Sequence, residues 1–164
     1  MRLASVDIAA SFLDDVLARD GAVWVSESSD SMAPLVRAGD RLRLGAAALG
    51  DLRPGQLVAF RRGGRLVVHR VVARDATGVV SKGDALSHRD APVPVGDIVG
   101  RVTTVATPGG AAIALDAWPW PALGGLFALC SRAGEWAARS DRAPCRLAWK
   151  LTRLPLHAVA WWAR

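Results

Sequence analysis

The stretch from Ala22 to about Val105 constrains the fold most, because turns cut it into short β-like runs. "AVWV" (22–25), "RLRLG" from Arg41, "LVAF", "RLVVHRVVA" and "DIVGRVTTVA" are apolar or alternating, and Gly, Pro or Asp clusters separate them. Gly63-Gly64 between two such runs reads as a hairpin turn. The whole segment "LRPGQLVAFRRGGRLVVHRVVARDATGVVSKGD" reads as turn, strand, hairpin, strand, turn, short strand and turn. Strands this short and this regularly spaced predict a mainly β, barrel-like or folded-sheet domain. Pro108-Gly109-Gly110 closes the section.

Helical spacing flanks it on both sides. Val6, Ala9, Phe12, Leu13, Val16 and Leu17 recur at helical intervals, with Asp7, Asp14 and Asp15 mostly opposite. This predicts an amphipathic helix over 6–18, ended by Asp20-Gly21. Beyond Pro108, Trp118-Pro119-Trp120-Pro121 reads as irregular and 123–138 as a helix. "RLAWKLTRL" (146–154) places Leu147, Leu151 and Leu154 on one stripe and Arg146, Lys150 and Arg153 on its neighbour. Three parts follow: an N-terminal helix over 1–21, a β-rich domain over 22–108, and a Trp-rich, basic, partly helical extension over 109–164.

Charge is uneven. The formal net charge is +6, yet residues 131–164 hold seven Lys/Arg against two acids, so the β-rich body is nearly neutral. The tail's basic residues, with Trp149, Trp161 and Trp162, suit peripheral contact of 146–164 with an anionic membrane. The competing expectation is that its Leu stripe packs on the β domain. No nucleic-acid module is recognisable, so a nucleic-acid partner is not expected. Cys130 and Cys145 form no C-x-x-C and the three His are scattered, so neither metal nor cofactor is expected. The acidic start fits no signal-peptide core. The most apolar window, 111–130, is broken by Asp116, Pro119, Pro121 and Gly124-Gly125, short of the ~20 residues a membrane span needs. A cytoplasmic protein with free thiols is the expectation.

The chemistry turns on "SDSMAPLVRAGD" (29–40). A serine hydroxyl attacks poorly until a base takes its proton. The candidates are His69, His88 and His157. His88 lies in an apparent loop and His157 in the basic tail, whereas His69 interrupts the best strand among Val67, Val68, Val71 and Val72. On residue type alone, His69 could simply occupy the solvent face of a half-exposed strand.

The order of "SDSMAPLVRAGDRLRL", "DLRPGQLVAF", "VVHRVV", "SKGDALSHRD" and "IVGRV" resembles the type I signal peptidase superfamily, which includes the SOS-repressor autoproteases. The likeness covers about residues 22–105. One branch of that superfamily uses a Lys as base; the endoplasmic-reticulum-like branch uses a His in a His-Arg-Val segment, as in His69-Arg70-Val71 here. The resemblance implies a serine endopeptidase with Ser31 as nucleophile, His69 as general base, and an Asp shortly after Lys82-Gly83-Asp84 as third member. Asp90 is the first choice for that Asp and Asp84 its rival. It further implies an oxyanion hole from the Ser31 N–H and the Ser29 hydroxyl, with Met32 lining the substrate cleft and Pro34 fixing the chain. Asp30, beside the nucleophile, should point outward, Gly39-Asp40 should form a turn, and Arg70 should face away from His69.

The substrate would be a protein or peptide, lying extended along a strand edge, with small residues before the scissile bond by resemblance. Leader or signal peptide removal is one use of such a site. The acidic helix stands where the family places a transmembrane anchor, which argues against a secretory role. An inactive peptide-binding module and a self-cleaving regulator are the alternatives of the same fold.

Overall fold

The computed structural model describes the backbone of residues 10–138 and the side chains of residues 12–132. The parts of the predicted N-terminal helix before Ala10, and the Leu and Trp stripes of 146–164 with His157 and Cys145, lie outside the described residues. Helix α1 (Ala10–Asp20) buries Leu13 and Leu17, while Phe12 is exposed. The predicted apolar stripe is therefore too wide at its edge: the helix rests on the sheet along a narrow line. The helix closes where the Gly21 N–H returns to the Leu17 carbonyl at 2.9 Å.

The body is mainly β. It is an eight-stranded antiparallel sheet made of β1 (Ala22–Ser26), β2 (Arg41–Gly45), β3 (Leu57–Arg62), β4 (Arg65–Arg74), β5 (Gly78–Lys82), β6 (Val93–Pro94), β7 (Ile98–Ala106) and β8 (Ala112–Ala114). The path runs β1-β2-β7-β3-β4-β5-β6, with β8 also on β7. Every predicted strand is present; the two-residue β6 and the three-residue β8 carry too little pattern to be read in advance. β7 joins the halves of the sheet, pairing with β3 through Ile98–Arg101 and with β2 through Arg101–Ala106. Register shifts at Arg43/Leu44, Ala59/Phe60 and Val71/Ala73 accompany its curvature. At the β3–β4 hairpin, Gly63 and Gly64 have φ of +56° and +75°, the paired left-handed residues of a two-residue turn that matches strand twist.

Curvature gives the sheet two apolar faces. Leu42, Leu44, Leu57, Ala59, Val68, Val102 and Val105 join Leu13, Leu17, Met32 and Leu35 in the larger core. Val58, Phe60, Val71, Val79 and Val93 form the smaller one with Leu52. The β7–β8 hairpin and helix α2 (Trp120–Ala138) add Ile113 and Phe127 to the larger core, so the described chain from Ala112 to Phe127 is packed on the sheet. α2 begins three residues before the predicted start, because Pro121 falls in its first turn, where its missing N–H costs nothing. Among the described residues, no helix is long and apolar enough to cross a membrane.

α2 docks backbone to backbone. A side chain at Gly124 would meet the Gly55 carbonyl oxygen at 2.7 Å, whereas one at Gly125 would meet nothing. Gly124→Ala should therefore cost about 1–3 kcal/mol by overpacking. Gly125→Ala, in the same helix, should add about 0.5–1 kcal/mol by removing a mid-helix glycine. Thermal unfolding of the two variants checks this: the midpoint should fall in the first and rise in the second.

Candidate active site

Ser31 sits in the fourteen-residue excursion 27–40 between β1 and β2. The ends of this excursion are tied together. The Glu27 N–H donates to the Asp40 carbonyl at 2.8 Å, and the Gly39 N–H to the Glu27 carbonyl at 2.9 Å. The Asp40 carboxylate accepts the Arg37 N–H at 2.9 Å, so Gly39-Asp40 forms the expected turn. Met32, Leu35 and Val36 are buried and anchor the excursion to the core, with Pro34 buried between them. Asp30 is exposed and points outward, but it also braces the loop by accepting the Ala38 N–H at 3.0 Å.

Met32 must be reassigned. It is fully buried, at 0 % exposure, in the larger core. It lies beneath the serine turn and lines no open cleft in this structure. Pro34 is also buried, within the turn whose chain it fixes.

β4 sorts its residues by alternation. His69 faces the same side as Val67 and Val71, opposite Val58 on β3, with its ring edge-on to Phe60 at 6.1 Å. It is buried rather than on a solvent face. His69 Nε2 lies 3.2 Å from Ser31 Oγ, and Nδ1 lies 2.7 Å from Asp90 Oδ2. A continuous path thus runs Ser31–His69–Asp90.

The neighbouring residue serves the other face. Arg70 Nε and Nη2 donate to the two oxygens of Asp84 at 2.8 and 2.6 Å, and Nη1 donates to the Gly55 carbonyl at 2.7 Å. The guanidinium also lies 5.2 Å from the Phe127 ring centroid. This excludes the rival reading of Asp84: both its oxygens are committed to Arg70, on the opposite side of β4 from the His69 ring. Lys82, directly across from Arg70 in the β4–β5 register, shares that buried face and reaches Ser131 of α2. His88 lies exposed in the loop, its Nδ1 3.1 Å from Ser87 Oγ.

Three further side chains complete the site. Ser81, fully buried, donates its hydroxyl to Asp90 Oδ2 at 2.7 Å, and its carbonyl accepts the Asp90 N–H at 2.8 Å. Arg62 donates to Asp90 Oδ1 at 2.9 Å and to the Ala91 carbonyl at 2.8 Å. Glu27 Oε1 accepts from the Ser28 N–H, the Ser29 N–H and the Ser29 hydroxyl at 3.0, 2.8 and 2.9 Å. Alternation on β5 contains a signal for Ser81, since it must face away from Lys82 and toward the His69 side. Arg62 and Glu27 carry none, because a hairpin arginine and an acid in a serine cluster look like surface residues.

Burial is the largest influence on the Asp90 carboxyl and would push its pKa up. Hydrogen bonds from His69 and Ser81, with the charges of His69 and Arg62, together outweigh burial and hold it below the ordinary value. The path therefore ends on an ionised carboxylate, able to fix the imidazole tautomer and stabilise an imidazolium. At the other end, Ser29 Oγ lies 3.1 Å from Ser31 Oγ and accepts the Ser31 N–H at 3.4 Å. The ensemble can activate a hydroxyl by proton transfer to an oriented imidazole. No protein-family model matches the chain, and no curated protein matches it either.

The two aspartates should separate cleanly by stability. Asp84→Ala leaves the Arg70 guanidinium buried and alone, and should cost about 3–5 kcal/mol. Asp90→Ala, whose partner Arg62 can turn to solvent, should cost much less; urea unfolding of both variants measures the difference. The lowered Asp90 pKa also gives a pH signature. A carboxylate with a folded pKa below its unfolded value of about 3.9 adds stability above that value, and loses it as pH falls through the folded one. Asp90→Asn should accordingly show a flatter acid limb than wild type in urea titrations over about pH 5 to 2.

Proposed function

We propose that this chain is a serine endopeptidase with Ser31 as nucleophile, His69 as general base and Asp90 as the carboxylate that orients it. The observation that carries the reading is the Ser31 Oγ–His69 Nε2–His69 Nδ1–Asp90 Oδ2 path, with legs of 3.2 and 2.7 Å. Its order of residue types is what acyl transfer requires. Three residues from separate segments converge on it, and each is held by further bonds: Ser31 by its turn, His69 by β4, and Asp90 by Ser81 and Arg62.

In this reading Ser31 attacks the substrate carbonyl while His69 takes its proton. The tetrahedral oxyanion is met by the Ser31 N–H and the Ser29 hydroxyl. His69 then protonates the leaving amine, and water, activated by the same imidazole, cleaves the acyl-enzyme. β1 ends the sheet path and leads straight into the Ser31 segment, which gives an extended peptide an edge to pair with. The folded antiparallel sheet and the motif order are in keeping with a signal-peptidase-like fold of the Ser-His branch. A small residue before the scissile bond and a leader or signal segment as substrate belong to the same proposal.

Two variants test it. Ser31→Ala and His69→Ala should each lower turnover by about 10⁴-fold or more, with circular dichroism unchanged. The substrate is found by capturing peptides from a digest on the Ser31→Ala protein and offering them to wild type. Normal cleavage by either variant would overturn the mechanism. Capture without cleavage by wild type would point to a non-catalytic peptide-binding module.

A further inference from the structure

Glu27 has no place in the Ser31–His69–Asp90 path, yet it is among the most heavily hydrogen-bonded groups near it. Its Oε1 accepts three hydrogens, one of them the Ser29 hydroxyl at 2.9 Å. Its backbone is pinned on both sides, through the Asp40 carbonyl and the Gly39 N–H. Glu27 is therefore a tethered, partly buried residue of the loop.

The direction of these bonds matters. A serine hydroxyl has one hydrogen to give. The Ser29 hydroxyl has two acceptors in reach, Glu27 Oε1 at 2.9 Å and Ser31 Oγ at 3.1 Å. The shorter contact to a carboxylate is the stronger, so its hydrogen goes to Glu27 and toward Ser31 it presents lone pairs. The Ser31 N–H points into those lone pairs at 3.4 Å, a long and weak bond. Both donors that would meet an oxyanion are thus turned elsewhere: the N–H to Ser29, the hydroxyl to Glu27. A negative carboxylate also stands one hydroxyl away from where negative charge must develop, which raises the cost of that charge.

We infer that Glu27 is a positioning residue that holds the oxyanion hole unformed at rest by keeping the Ser29 hydroxyl hydrogen, and that acylation of Ser31 requires this hydrogen to turn from Glu27 to the substrate oxygen. The inference rests on the serine-peptidase reading above. It assigns Glu27 a restraining effect: the enzyme is slower with this carboxylate than with a neutral group of the same shape. A purely structural Glu27, bracing residues 28 and 29, would have the opposite sign, since loosening the loop would slow the reaction.

The test uses p-nitrophenyl acetate as a small acyl donor, following p-nitrophenolate release and acetylation of Ser31 by intact-protein mass. Glu27→Gln keeps the length and an acceptor oxygen but removes the charge. It should acetylate about tenfold faster, the difference between a hydrogen bond to an ionised acceptor and one to a neutral acceptor. Ser29→Ala should acetylate about 10²–10³-fold more slowly. In the Ser29→Ala background, Glu27→Gln should change the rate by less than about twofold, because the effect passes through the missing hydroxyl. An equal or slower rate for Glu27→Gln, with Ser31 still acetylated, overturns the inference and leaves the peptidase reading standing. A tenfold gain that persists without Ser29 also overturns it, since Glu27 would then act by charge alone. Ester hydrolysis unaffected by Ser31→Ala, or no acetyl group on Ser31 in any variant, overturns the peptidase reading and the inference with it.

Discussion

The buried pairing of Arg70 with Asp84 organises the molecule. Two charges removed from water are stable only when nearly every donor and acceptor finds a partner. Here the guanidinium meets both Asp84 oxygens, the Gly55 carbonyl and the face of Phe127. Those partners come from the loop after β5, the turn before β3, and α2. One side chain thus ties three segments to β4. It also fixes the loop carrying Asp84 against the serine turn, where the Ala85 N–H reaches the Ser31 carbonyl at 2.9 Å.

His69 occupies the adjacent position with the opposite outlook. Strand alternation lets one backbone serve a buried ion pair on one face and the Ser31–His69–Asp90 hydrogen-bond path on the other. The two aspartates of the same loop divide in the same way, Asp84 to Arg70 and Asp90 to His69. Charge near the imidazole is kept in balance. Asp90 faces His69 and Ser81 on one oxygen and Arg62 on the other, so its ionised form is stabilised despite burial.

Much of this was legible in the amino-acid sequence, and the limits have physical causes. The strands are readable because apolar or alternating runs bounded by Gly, Pro or Asp clusters have few other ways to fold. His69 stands out as a polar ring among valines, whereas Ser31 is singled out among its serines only by the resemblance of its Ser-Met-x-Pro segment to a known family. The resemblance favours Asp90 over Asp84, but the residues alone do not separate them: six residues of loop leave both within reach, and the partners across the sheet set them apart. Met32 misled because a residue next to a nucleophile suggests contact with substrate, whereas the turn sends its side chain into the core. Phe12 fits a helical period but falls just past the line where α1 meets the sheet. Glu27 and Arg62 were invisible because their roles depend on groups that fold back on them.

Gly83 adds a last consequence. A Cβ there would come within 2.8 Å of the Ser31 carbonyl oxygen, so the two loops touch backbone to backbone. The serine turn and the Lys-Gly-Asp loop therefore form one packed unit, although about fifty residues separate them in the chain. Transplanting the serine turn alone into another scaffold would bring Ser31 without the surface it rests on. The covalently distant halves of this site are, in their mechanical coupling, a single part.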